Sequence, residues 1–285
     1  MNTDINLGRK IGDGATAEIF AYGENQVLKL LKANFSRMII TQDTHYSKIA
    51  HDHGLPVPKV WDHLEVDGRY GAIFDRIDGL TAAERLLKIL LRPSKYAKMQ
   101  AKLLASIHSI DFSGDEIHLP GSITQKGRFE EQIEKMDIWT EKKKTEVIEI
   151  MNHLPDGDSL CHGDFHGGNI IMSTNGPVIM DWDTGSQGNP WGDVAASSAC
   201  ILADPNPETA PNWHRVIHRM ITKRINKVFL KTYLAIRPDT DNQLNKWLVC
   251  AYAARIGELS QIHHPAIPEK QIQMLSFIEK KLLSV

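Results

Sequence analysis

Between Cys161 and Asp183 the chain reads Cys-His-Gly-Asp-Phe-His-Gly-Gly-Asn-Ile-Ile-Met-Ser-Thr-Asn-Gly-Pro-Val-Ile-Met-Asp-Trp-Asp. His162, Asp164, His166 and Asn169 crowd together there among glycines. A core segment cannot carry that many polar side chains unless nearly all are paired, because an unsatisfied buried polar group costs roughly 2–7 kcal/mol. The segment is therefore read as a site. Ile170 to Met172 and Val178 to Met180 can pair as a hairpin across Ser173-Thr174-Asn175-Gly176, which returns Asp181 to the neighbourhood of Asn169. An asparagine and carboxylates brought together this way offer hard oxygen ligands, which suit magnesium rather than zinc.

The rest of the chain changes character once. Up to about residue 77 it reads mostly as strands: Ile5 to Ile11, Glu18 to Tyr22, Val27 to Leu31, and a hairpin of 60–66 with 69–77 around the turn pair Asp67-Gly68. A helix from about Phe35 to His53 interrupts them, with Gly54 as its terminator. After Gly79 helical spacing takes over. Met99, Leu103, Ile107 and Ile110 mark one helix, and Phe129 to Met151 reads as a second, long one. That second helix carries the run Glu141-Lys142-Lys143-Lys144, read as a solvated face. Helices resume after Trp191, broken by the loop Asp204-Pro205-Asn206-Pro207. The expectation is an α+β chain with a small β-rich N-terminal lobe, residues 1–77, and a larger, mostly helical lobe, residues 78–285. A cleft between such lobes is a common place for a ligand.

Phosphoryl transfer needs the parts this chain holds. It needs a divalent ion to bridge phosphate oxygens, a carboxylate to position the attacking hydroxyl and a lysine for the nucleotide phosphates. Lys29 lies inside a strand fifteen residues after Gly14. The stretch Ile11-Gly12-Asp13-Gly14-Ala15-Thr16-Ala17 offers glycines that let backbone approach a phosphate closely. Composition adds little beyond exclusions. With 33 basic and 35 acidic residues the formal charge is −2, so the strong electrostatic footprint of a dedicated nucleic-acid binder is missing. The 3 cysteines form no CxxC pair and no disulfide framework. No apolar run approaches the ~18 residues of a membrane span, and the start lacks a signal-peptide core. The expected setting is the cytoplasm, with no membrane and no nucleic-acid partner; nothing in the sequence addresses oligomeric state.

His162-x-Asp164-x-x-x-x-Asn169, followed twelve residues later by Asp181, resembles the catalytic and metal-binding pattern of protein-kinase-like enzymes. The form His-Gly-Asp-Phe-His-Gly-Gly-Asn with Ile-Met-Asp-Trp-Asp resembles the aminoglycoside phosphotransferase family, which also includes choline-type kinases. Gly188-Asn189-Pro190-Trp191-Gly192-Asp193 and Gly54-Leu55-Pro56-Val57-Pro58 fit the same family. The resemblance spans residues from about 7 to 200 and implies a bilobal protein-kinase-like fold. It implies transfer of the γ-phosphate of ATP, with GTP as the alternative, to a hydroxyl of a small molecule in the presence of magnesium. Asp164 would be the catalytic aspartate, Asn169 and Asp181 the magnesium ligands, and Lys29 the phosphate-binding lysine. Gly12, Gly14, Ala15 and Thr16 would form the phosphate loop, and Asp75 to Ile77 the hinge that meets the adenine. His162 and Asp193 would brace the catalytic loop. Asp43 is the best-placed helix carboxylate to partner Lys29, one methylene shorter than the family's usual glutamate.

Competing readings exist at several points. His162-x-Asp164-x-His166 could be a transition-metal site, and Gly163-Asp164 with Gly168-Asn169 is similar to two-metal phosphoesterases, but the further Asp-x-His and late Asn-His pair of that class are missing from the expected places. A non-catalytic nucleotide-binding module of the same fold is the alternative function. Trp191, Trp213, Trp247, Tyr252 and Glu258 fall where this family builds its acceptor pocket, as an aromatic box with a carboxylate or as plain helix packing.

Overall fold

The computed structural model describes residues 7–88, 92–112, 117–136, 138–203, 212–261 and 278, without the side chains of 87, 88 and 212–215. They divide into two compact units: residues 1–85 with 119–122 and 167–185, and residues 86–118, 123–166 and 186–285. The loop Asp204-Pro205-Asn206-Pro207 lies outside the described residues.

The first unit is built on an antiparallel five-stranded sheet of β1 (Lys10–Asp13), β2 (Ala17–Tyr22), β3 (Gln26–Leu31), β4 (Val60–Val66) and β5 (Arg69–Asp75) in the order β1-β2-β3-β5-β4. Strand alternation explains its two apolar faces. On β3, Val27 and Leu31 join Ala17, Ala72, Phe74 and Ile40, the last from helix α1 (Arg37–Asp52). Leu28 and Leu30 point the other way and pack with Val66 and Ile73. Lys29 sits between Val27 and Leu31 in this alternation, so its side chain leaves the sheet on the face that α1 covers. Helix α1 starts at Ser36, whose hydroxyl accepts the Met38 N–H, a cap of the kind worth about 1 kcal/mol. Asp67, at φ 50°, and Gly68, at φ 72°, turn β4 into β5 as a positive-φ pair.

After β5 come β6 (Leu80–Thr81) and α2 (Ala82–Lys88). The second unit holds α3 (Pro93–Ile107), α4 (Gln125–Glu134), α5 (Glu141–Asn152) and β7 (Ser159–Cys161). A 3-10 turn, Gly167–Asn169, then leads into β8 (Ile170–Ser173) and β9 (Gly176–Ile179), which form a three-stranded sheet in the order β6-β8-β9 in the first unit. The second unit continues with β10 (Ser186–Gly188), α6 (Pro190–Ala203), α7 (Asn212–Ile236) and α8 (Gln243–Ser260).

One long helix over 129–151 is not what forms. The chain breaks between α4 and α5, and Thr140 stands at the N-cap position of α5 with extended backbone. Lys144 is correspondingly not on a solvated face. It is buried, and its ammonium donates to the Glu134 carbonyl at 2.9 Å, satisfying the end of α4, and pairs with Glu141 at 2.9 Å.

Candidate active site

In the first unit, Lys29 Nζ lies 2.6 Å from Asp43 Oδ2 and 2.6 Å from Asp181 Oδ1. Burial works against the charge on Lys29, but Asp43, Asp181 and Asp183 outweigh it and hold its pKa above the ordinary lysine value. Asp181 reaches this place through the hairpin. Ile170 pairs with Ile179, and the Met180 N–H donates to the Asn169 carbonyl at 2.9 Å, so Asn169 and Asp181 flank one strand end. Asp181 itself adopts φ 66°, a left-handed conformation that aspartate tolerates better than most residues.

Asp43 does more than pair with the lysine. Its second oxygen accepts the Trp182 N–H at 2.9 Å, so one carboxylate ties β3 to the backbone beside Asp181. Gln42 Nε2 donates to the Gly185 carbonyl at 2.9 Å, and a Cβ at Gly185 would meet Tyr46 Cβ at 2.7 Å. A short carboxylate and a close approach go together here: aspartate reaches both partners because α1 lies directly against Gly185. Gly185→Ala is expected to push α1 off this loop and lower any activity that uses the Lys29–Asp43–Asp181 cluster on the order of 10²-fold, as a misplacement of about 1 Å can. Asp43→Glu is expected to reduce activity too, since the added methylene must be squeezed in. Full activity in Gly185→Ala would show that this contact does not hold the loop.

The glycine stretch forms the β1–β2 connection. Gly14 and Ala15 are exposed, Thr16 is half-buried, and the Gly14 N–H donates to the Ala17 carbonyl at 2.8 Å. Lys32 Nζ donates to the Gly14 carbonyl at 2.7 Å and pairs with Asp13 at 2.8 Å, which anchors the loop. Gly12 lies on β1 at a register irregularity. Asp75 ends β5, its carboxylate accepting from Trp61 Nε1 at 2.7 Å and the Lys59 N–H at 3.3 Å; Ile77 follows, half-buried.

In the second unit, Asp164 lies 3.4 Å from His166 Nε2 and accepts from Cys200 Sγ at 3.4 Å. Burial raises its pKa, but His166, Arg255 and His162 outweigh that and hold the carboxyl below its usual range, hence ionised at neutral pH. The backbone around it is held by Asp193, wholly buried on α6. Asp193 Oδ2 accepts the His162 N–H at 2.7 Å, and Oδ1 accepts the Gly163 N–H at 2.9 Å.

His108 and Tyr233 complete this network without having been singled out in the sequence. His108 Nε2 bonds Asp193 Oδ2 at 3.0 Å and Nδ1 bonds the Tyr233 hydroxyl at 2.6 Å. His108, Cys161 and Asp193 come within 4.8 Å of one another, but both ring nitrogens of His108 are already engaged. The cluster is a hydrogen-bond brace. The only sequence signal was a histidine directly after the apolar spacing of α3. Asp193→Ala is expected to cost about 3–5 kcal/mol and lower Tm by roughly 6–20 °C, because it orphans two buried N–H groups and His108. An unchanged thermal melt would remove the brace from the account.

Three of the five residues considered for an acceptor box, Trp191, Trp247 and Tyr252, are packed between helices. Trp191, Trp247 and Tyr252 are buried, with Trp191 edge-on to Tyr233 at 5.7 Å and Trp247 edge-on to Phe129 at 6.0 Å. Glu258 is paired with Arg255 at 2.6 Å. The side chain of Trp213 lies outside the described residues.

A strand-rich N-terminal sheet, a helical C-terminal part and a strand lysine held between two carboxylates define a kinase-like fold. The model of the phosphotransferase enzyme family matches residues 39–213, and the chain belongs to that family. The match begins after β3, so it does not itself cover Lys29 or the glycine loop. No curated protein matches the sequence. Among solved structures, amicoumacin kinase hAmiN in complex with AMP-PNP, Ca2+ and Ami is 15% identical over 96% of this chain and 87% of that one, TM-score 0.59. The ADP-bound aminoglycoside phosphotransferase APH(2'')-Ib is 18% identical over 98% and 95%, TM-score 0.58. Choline kinase from Cryptosporidium parvum Iowa II is 13% identical over 96% of this chain and 88% of that one, TM-score 0.56. At these identities the likeness is one of fold.

Proposed function

We propose that the protein is a small-molecule kinase that transfers the γ-phosphate of ATP to an acceptor hydroxyl in the cytoplasm. The observation that carries this reading is Lys29, held 2.6 Å from both Asp43 and Asp181 on a phosphotransferase-family chain. Lys29 binds the α- and β-phosphates, and Asp43 keeps its ammonium aimed. Gly12, Gly14, Ala15 and Thr16 cover the phosphates, and Asp75 to Ile77 present backbone to the adenine. Asp164 accepts a hydrogen bond from the acceptor hydroxyl and aims its oxygen in line; as an ionised carboxylate it can take the proton late in transfer. His162 and Asp193 hold the backbone that carries it.

The donor set fits magnesium. Asp181 offers a carboxylate that is 42% exposed and engaged by Lys29 through one oxygen, and Asn169 adds an amide oxygen from the adjoining strand end. Bound there, magnesium would neutralise charge on the phosphates. The nucleotides and the divalent ion named with hAmiN and APH(2'')-Ib support the same assignment.

The test is coupled ADP release from the purified protein with magnesium and ATP or GTP over a panel of aminoglycosides, amino alcohols, sugars and other hydroxyl metabolites. Acceptor-dependent turnover is the expected result. Nucleotide binding with no turnover on any acceptor would overturn it in favour of a regulatory module.

A further inference from the structure

The near-neutral charge of the whole chain conceals a segregation. Helix α3, 15 residues, has three lysines and no acidic residue; α7, 25 residues, has six Lys or Arg and no acidic residue. The two helices pack against each other. On α3, Lys95, Lys98 and Lys102 are exposed; on α7, Lys223, Arg224, Lys227 and Lys231 are exposed. None of these side chains has an ion-pair or hydrogen-bond partner among the described residues, whereas Lys10, Lys29, Lys126, Lys135 and Lys144 do.

Lys223, Lys227 and Lys231 follow one another at i,i+4, an arrangement of like charges that destabilises a helix. Val216, Ile217 and Met220 share their stripe and are exposed to 46%, 46% and 66%. At about 100° per residue, positions 216 to 231 named here fall within an arc of roughly 120°, and they extend over about 22 Å. Among the described residues, the outer face of α7 therefore carries cations with no paired carboxylate, continuous with aliphatic side chains.

We infer that this face of α7 is a docking surface for an anionic phospholipid layer. Basic clusters on a helix are drawn to acidic headgroups, and aliphatic side chains beside them enter the headgroup–acyl boundary. A nucleic acid would use the cations but have little use for Val216, Ile217 and Met220, since single-strand binding relies on aromatic platforms. The large aromatic residues exposed among the described ones, Phe35 and Trp61, lie in the other unit.

The test is co-sedimentation of the full chain with vesicles of phosphatidylcholine alone or with about 30% phosphatidylglycerol, at low and high salt. Binding is expected to the anionic vesicles, to weaken with salt, and to fall at least about a hundredfold in Lys223→Glu/Lys227→Glu/Lys231→Glu. Ile217→Ser/Met220→Ser should weaken it with the charge intact, and circular dichroism should show both variants folded. No binding, equal binding to neutral vesicles, or binding indifferent to the charge reversal would overturn the inference. So would binding of an RNA oligonucleotide or an acidic peptide through the same lysines while the anionic vesicles are ignored.

Discussion

Asp164→Asn is expected to lower kcat by roughly 10²–10⁴-fold, the range for a positioned group acting on the transferred proton. KM for ATP should change little, because Lys29, Asp43 and the glycine loop belong to other elements. Asparagine keeps the shape and can still accept from Cys200, so the fold should survive; the thermal melt is the control. The variant removes the charge that His166, Arg255 and His162 stabilise. Normal turnover, measured as ADP release with the best acceptor, would sink the role assigned to Asp164.

Asp181→Asn is expected to reduce kcat/KM on the order of 10³-fold, as loss of a charge-stabilising group at a phosphate site does. Asparagine is the informative replacement because residue 181 stands at φ 66°, where alanine would add backbone strain of about 1–2 kcal/mol and confuse the result. The loss should be accompanied by a higher magnesium requirement, read from rate against metal concentration. Lys29 keeps Asp43 as its partner, so the sheet and α1 should remain in place. An unchanged magnesium dependence would remove Asp181 from the metal site even if the rate fell.

The sheet was legible because its signals are local. Asp67-Gly68 marks a turn by dihedral preference, and the apolar run around Lys29 marks β3; which face α1 covers emerges only from the packing of Ile40 with Val27 and Leu31. The 161–183 block was legible for a different reason: so many polar groups at fixed spacing have few structural uses. The helix boundary at Thr140 was missed because the helical pattern continues in register across it, and the break is fixed by Lys144 reaching back to Glu134. His108 and Tyr233 were out of reach, since His108 meets Asp193 on one side and Tyr233 on the other only when α3, α6 and α7 have packed. Trp191, Trp247 and Tyr252 stood open between an acceptor box and helix packing, and composition alone could not choose; all three are buried.

The return of residues 167–185 to the N-terminal sheet has a bearing on biogenesis. Lys29 and Asp181 are separated by 152 positions, and chains emerge at roughly 5–20 residues per second. The nascent sheet would wait roughly 8–30 s with Lys29 facing Asp43 alone before its second carboxylate is synthesised. An amino-terminal fragment ending near residue 85 would stay in that unfinished condition permanently.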